Sequence, residues 1–172
     1  TFFSENNEAK VVQYPSRSSA LSAYGSRRDF LSVGTVCSGM KAPILALNSL
    51  KVHFSLTFSC DNCPTVIRTE QANHDTKVLY TEVKGRDNST TPFVDLYVAG
   101  FPCQPFSPAG KQQGFDDAIG RGRILFDIVE YIDVQRPKIS ILGNVQRLVT
   151  MENGIYLKTT LEVMRNIGKD KP

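Results

Sequence analysis

Cys103 is the residue in this sequence best placed to do chemistry. It sits in Gly100-Phe-Pro-Cys-Gln-Pro-Phe-Ser-Pro-Ala-Gly110, directly after the apolar run Phe93-Val-Asp-Leu-Tyr-Val-Ala99. A thiolate is a strong nucleophile and a thiol is not. Pro102 and Pro105 stiffen the loop and remove amide donors beside the sulfur. A buried or redox thiol is the bland alternative for any loop cysteine. A second pair, Cys60-Asp-Asn-Cys63, lies just before Pro64. A structural zinc takes four ligands. No second Cys-x-x-Cys is present, and His53 and His74 are badly spaced, so no metal is expected. A redox role for Cys60 and Cys63 would require a depressed thiol pKa at a helix N-terminus.

Other candidates follow other apolar runs. Cys37-Ser38-Gly39-Met40 comes after Leu31 to Val36, and Gly39 lets the backbone turn sharply or approach a ligand. Asp61, followed by Asn62, comes after Val52 to Cys60. A carboxylate there can accept both hydroxyls of a ribose, or it can cap the next helix. Asn144, after Lys138 to Leu142, can tie loops together through its amide, with Gly143 beside it.

These positions fall into a pattern once the elements are read. The sequence predicts strands over Leu31–Cys37, Val52–Cys60, Val78–Val83, Phe93–Ala99 and Lys138–Leu142. It predicts helices over Ala42–Leu50, Pro64–Asn73, Ile124–Val134 and Ile155–Ile167, two of them with proline in the first turn. Ile124, Ile128, Tyr131 and Ile132 share a helical face. Lys84 to Pro92 reads as a polar turn. Gly100 to Gly122 reads as a loop, and loops of that length tend to be functional. Strands alternating with helices imply an α/β fold, a mostly parallel sheet with helices on both faces. Such sheets bind ligands beyond the carboxyl ends of their strands, where the candidates cluster.

The bulk properties are permissive. The chain has 172 residues, 41% hydrophobic and 22% charged, enough for one core. A net charge of +3 allows an anionic partner without arguing for one. No window approaches the roughly 18 apolar residues of a membrane span, and the N-terminus lacks the pattern of a signal peptide. Four cysteines are too few for a disulfide scaffold, so a reducing, intracellular compartment is expected. Residues 1–29 are polar and mixed and read as a flexible N-terminal extension, with the domain spanning 30–172.

Taken together, the motifs resemble those of the DNA cytosine-5 methyltransferases. Gly100-Phe-Pro-Cys-Gln-Pro-Phe-Ser107 with Ala109-Gly110 is similar to that family's nucleophile motif. Gly114-Phe-Asp-Asp117, Arg121-Gly122 and Leu125-Phe126 resemble the stretch that follows, with one extra residue. Cys37-Ser-Gly-Met-Lys-Ala-Pro-Ile-Leu-Ala-Leu47 is similar to the first cofactor motif, and Pro137 to Leu148 to a "Pro-Lys, strand, Glu-Asn-Val" motif. The resemblance implies a Rossmann-like fold for S-adenosylmethionine-dependent methyl transfer. It implies a catalytic site at Pro102, Cys103, Gln104 and Asn144. It implies cofactor binding by Cys37, Ser38, Gly39, Met40, Asp61, Asn62, Glu82, Gly100 and Leu125, with Asp87 competing with Glu82 for the adenine amine. The implied partner is double-stranded DNA with the target cytosine flipped out.

Three departures qualify the likeness. Gly143 replaces the family's glutamate. Cys37 and Lys41 replace an aromatic residue and a glycine, Lys41 being expected to carry its charge out to water on its long stem. The stretch that would hold a catalytic arginine strand and the target-recognition region is not found, so the chain reads as truncated on the C-terminal side, with a separate chain as one source of recognition. The expected function is methyl transfer to carbon 5 of cytosine through a covalent Cys103 adduct, impaired in this chain. The alternative is a non-catalytic S-adenosylmethionine-binding or scaffold domain with a decayed site. An exposed apolar edge is expected at the last strand.

Overall fold

The apolar runs line up side by side in a computed structural model that describes residues 11–13 and 30–169. The strands are β1 (Val11–Gln13), β2 (Leu31–Val36), β3 (Phe54–Cys60), β4 (Val78–Tyr80), β5 (Leu96–Ala99) and β6 (Ile139–Leu142). The helices are α1 (Ala42–Ser49), α2 (Pro64–Asn73), α3 (Ile124–Gln135), α4 (Arg147–Thr150) and α5 (Ile155–Arg165). The sheet order is β1-β4-β3-β2-β5-β6. Every neighbouring pair is parallel except β1 with β4. From β2 the chain winds outward to β3 and β4, then returns to β5 and β6 on the other side. The direction reverses at β2, and that reversal opens a crevice at the strands' carboxyl ends. This is the Rossmann-like, mostly parallel α/β architecture that the sequence implies.

Two apolar clusters fill the two faces. Val33, Ile44, Leu56, Leu96 and Val98 form the smaller one, beneath α1. The larger joins Val36, Phe58, Tyr80, Tyr97 and Ala99 of the sheet to Leu125, Ile128, Tyr131 and Ile132 of α3. Leu96 to Ala99 alternate strictly between them, as pleating requires. Leu56 and Phe58 do not, although they stand two apart. The register slips there: Val33 pairs with Leu56 and Gly34 with Phe58, leaving Thr57 unpaired. That bulge sends the two apolar side chains to opposite faces.

Several boundaries differ from the sequence reading. Residues 1–29 were expected to lack fixed structure, yet Val11–Gln13 add an antiparallel strand; the remainder of that stretch lies outside the described residues. β4 stops at Tyr80, because Val83 drops into the core at 6% exposure and the chain turns there, Arg86 N–H donating to Val83 O. β5 starts at Leu96, because the preceding Asp95 bonds Ser32 through its side chain: Ser32 N–H and Oγ–H both donate to Oδ2. Short 3-10 turns at Gly114–Asp116 and Arg121–Arg123 punctuate the long loop. Among the described residues β6 has a sheet neighbour on one side only, and Ile139 and Ile141 are 57% and 52% exposed. No described helix is long and apolar enough to cross a membrane.

Candidate active site

Beyond Val36 the chain turns through Cys37 to Lys41 and enters α1. Cys37, Gly39 and Lys41 all have left-handed backbone, with φ of 50°, 52° and 60°. Gly39 suits that conformation, and a Cβ built on it would meet nothing within 4 Å. The turn is therefore open on that side, and another molecule can approach its backbone closely. Ser38 is half-buried and Met40 is exposed.

Asp61, at the end of β3, is buried against this turn. Its Oδ2 accepts the Gly39 N–H at 3.3 Å and its Oδ1 accepts the Cys63 N–H at 3.1 Å. The carboxylate thus joins the turn after β2 to the start of α2. It does not occupy the N-cap position of α2, which belongs to Cys63. Asn62 is exposed beside it, and Glu82 is exposed beyond β4. Burial pushes the Cys37 thiol up to about 12, and the Asp61 carboxylate adds to that, with a smaller push from Glu82. Both carboxylates therefore lie near the turn. Asp87 is committed elsewhere: it accepts from Ser89 N–H at 2.9 Å and Ser89 Oγ–H at 2.6 Å, bonds that hold its carboxyl below the usual range.

The loop carrying Cys103 begins against the same turn. Gly100 N–H donates to Val36 O at 3.0 Å, and a Cβ on Gly100 would lie 3.2 Å from Cys37 O. Pro102 and Cys103 are half-buried and Gln104 is exposed. The Cys103 carbonyl accepts from Phe106 N–H at 2.9 Å and Ser107 N–H at 2.8 Å, closing a turn around the residue. Phe101 and Phe106, on either side of it, are buried and meet edge to face at 6.1 Å. Phe106 also packs on Phe115 and Tyr156. Gly110 closes the loop so tightly that a Cβ there would lie 1.9 Å from Gln104 O. Asn144 acts as the sequence suggested, its Nδ2 donating to Phe101 O at 3.0 Å. Cys103, half-buried, thus stands on a loop braced by two aromatic anchors, a glycine contact and an amide just past β6.

Gly143 N–H donates to Ala99 O at 2.9 Å, so this residue sits beside the root of the Cys103 loop. A Cβ there would meet nothing within 4 Å.

Leu125 is wholly buried in the core. Two expectations need correction. Cys60 is also wholly buried, and burial pushes its thiol up to about 12, the opposite of what a redox Cys60–Cys63 pair requires. Lys41 does not reach water. It is 1% exposed and its ammonium pairs with Glu70 at 3.0 Å.

Two features escaped the sequence reading. One is this Lys41–Glu70 pair, signalled only by Thr35 and Ser59, small hydroxyl residues facing each other on β2 and β3. The other is Arg86, which the sequence places in a polar turn. It is buried at 5% exposure, 5.4 Å from the rings of Phe58, Tyr80 and Tyr131. Its Nε and Nη2 donate to Asn88 Oδ1, and Asn88 Nδ2 donates to Glu130 Oε2 at 3.0 Å. Arg86 therefore clamps the segment behind Glu82 onto the sheet. Among the described residues, no group of three or more His, Cys, Asp or Glu could hold a metal ion.

Known proteins resemble this chain. The chain is 42% identical over 89 residues to the Type II methyltransferase M.NgoBI of Neisseria gonorrhoeae, covering 52% of this chain and 27% of that protein. It is 47% identical over 77 residues to M.BanI of Aneurinibacillus aneurinilyticus, covering 45% and 18% respectively. It therefore corresponds to only part of the length of these curated relatives. The crystal structure of S. pombe Dnmt2 methyltransferase matches with a TM-score of 0.49 and 18% identity, over 77% of this chain and 40% of that one. The family model for C-5 cytosine-specific DNA methylase matches residues 31–169. A match running from the first residue of β2 through the whole of α5 means that this chain belongs to the C-5 cytosine-specific DNA methylase family.

Proposed function

We propose that this chain carries the nucleophile and the cofactor-facing turn of an enzyme that methylates carbon 5 of cytosine in DNA. The single observation behind this reading is the setting of Cys103: half-exposed, on a braced loop, rooted against the turn after β2. The residues around that turn suit S-adenosylmethionine. Asp61 offers a carboxylate to the ribose hydroxyls, the open face of Gly39 gives access to backbone, and Glu82 is exposed nearby for the adenine amine. When bound, S-adenosylmethionine supplies an electrophilic methyl group to carbon 5 of the activated base.

The chain's own part in the reaction is nucleophilic. Cytosine reacts poorly at carbon 5. The Cys103 thiolate adds to carbon 6, forming a carbon–sulfur bond and loading electron density onto carbon 5. After methylation, the carbon-5 proton leaves to a base, the carbon–sulfur bond breaks, and the electron pair returns to Cys103 as the ring regains its double bond. The target base must leave the duplex for this attack. Asn144 and the two phenylalanines hold the loop so that the sulfur keeps one position.

Gly143 weakens the reaction. In the family a glutamate there binds the cytosine amine and ring nitrogen and supports protonation during attack. Glycine offers neither, so an impaired rate is part of this reading. A scaffold domain that binds cofactor without chemistry is the second reading, and Gly143 is the observation that favours it. Incubation with S-adenosylmethionine and duplex DNA carrying 5-fluorocytosine tests between them, because once carbon 5 is methylated its fluorine cannot leave as a proton would and the adduct is trapped. A covalent adduct in wild type, absent in Cys103→Ser, is expected. No adduct, with S-adenosylhomocysteine still bound in calorimetry, would favour the scaffold.

A further inference from the structure

We infer that Lys41 and Glu70 are positioning residues for the turn Cys37–Lys41, a buried ion pair that sets the shape of the surface offered to the cofactor. This rests on the reading of that turn given above.

Lys41 ends the turn and begins α1 with φ 60°, a backbone suited to glycine. A lysine in that place ordinarily points its charge to solvent. Here the side chain runs inward and is 1% exposed. Its ammonium donates to Thr35 Oγ1 at 3.2 Å on β2, to Ser38 Oγ at 3.1 Å in the turn, and to Ser59 Oγ on β3, and it pairs with Glu70 Oε2 at 3.0 Å on α2. Glu70 is 2% exposed; its Oε2 also accepts from Ser59 Oγ–H at 2.9 Å, and its Oε1 accepts from Thr76 Oγ1–H at 2.8 Å. Every charged atom in the group has a partner, which a buried network requires if it is to specify one geometry.

The placement points to a role beyond stability. One ammonium binds the turn to two strands and a helix from beneath, while Asp61 holds the Gly39 N–H at 3.3 Å. The holds fall on Ser38 and Gly39, and only Met40 separates Gly39 from Lys41. Glu70 also cancels the lysine charge within the protein. The turn therefore presents no extra positive charge to a cationic sulfonium, which a solvent-facing lysine would do.

The test uses Lys41→Met/Glu70→Met, which removes both charges together and leaves neither buried alone. Two amides report on the turn: Gly39 N–H, held by Asp61, and Lys41 N–H, which donates to Ser38 O at 3.0 Å. In the cofactor-free double variant, hydrogen exchange at these two amides should rise about tenfold or more, with no change in α3. Calorimetry with S-adenosylhomocysteine should show affinity reduced by about tenfold, because a loosened turn must be ordered on binding. Wild-type exchange at both amides in the folded double variant would overturn the inference, as would unchanged affinity. If the double variant does not fold, Ser38→Ala cuts only the turn's own link to the ammonium, and unchanged exchange at Gly39 and Lys41 there would overturn it equally. If wild type fails to bind S-adenosylhomocysteine, the cofactor reading falls, while the exchange measurement still decides whether the pair holds the turn.

Discussion

Replacing Gly143 with glutamate should raise the rate of Cys103 adduct formation by about a hundred- to a thousandfold. The figure is what one positioned group that stabilises developing charge is worth, ~2.7–4 kcal/mol. The structure makes the experiment clean. A Cβ at 143 would meet nothing within 4 Å, and the residue is absent from the positive-φ glycines, so a side chain fits without backbone strain. The backbone bond from Gly143 N–H to Ala99 O is kept by any residue other than proline. Thermal stability should therefore stay within about 0.5 kcal/mol of wild type, as for an exposed substitution. The assay is the time course of covalent complex on 5-fluorocytosine duplex DNA with S-adenosylmethionine present, and Gly143→Gln is the control that fills the space without a carboxylate. A folded Gly143→Glu variant reacting no faster than wild type would refute the reasoning. Equal gains from Gln and Glu would show that bulk, not the carboxylate, was missing.

Other outcomes follow from the same geometry. Gly110→Ala should cost about 1–3 kcal/mol in thermal unfolding and abolish the adduct, because its Cβ would fall 1.9 Å from Gln104 O and push the Cys103 turn apart. In timed alkylation at neutral pH read by peptide mass spectrometry, Cys63 and Cys103 should label before Cys37 and Cys60, whose thiols burial raises to about 12; early labelling of Cys60 would contradict its place in the core. Lys138 and Ser32 lower the Asp95 carboxyl to about 2, so its contribution is full above the unfolded value near 4 and is lost as pH falls toward 2. Wild type should thus lose on the order of 1–2 kcal/mol over that range relative to Asp95→Asn in acid denaturation.

The parts of this molecule that were readable from sequence are those in which local chemistry and tertiary role agree. Pro64 opens α2, as the first-turn proline indicates, and Asn73 ends it where the sequence reading put the boundary. The proline-flanked cysteine follows a fully buried strand, and the strand's end fixes where it must lie. Asn144 was readable because an amide at a strand end has neighbouring loops within reach. What stayed hidden depends on partners far away in sequence. Nothing near Lys41 says that Glu70 lies below it, and a lone lysine reads as solvent-facing. Arg86 sits among Lys84, Asp87 and Asn88, a polar run whose burial follows only from three rings supplied by β3, β4 and α3. β1 was missed because a three-residue strand in a polar stretch carries no periodicity to read.

The outer flank of β6 governs how this chain behaves at the bench. Among the described residues no strand pairs the outer side of β6, where Ile139 and Ile141 lie exposed, and every copy in the tube carries the same strip. Self-adhesion should therefore climb with protein concentration in light scattering. A lysine at 141 should disperse the molecules while leaving the thiol's surroundings untouched, which makes Ile141→Lys a sensible background for every measurement above.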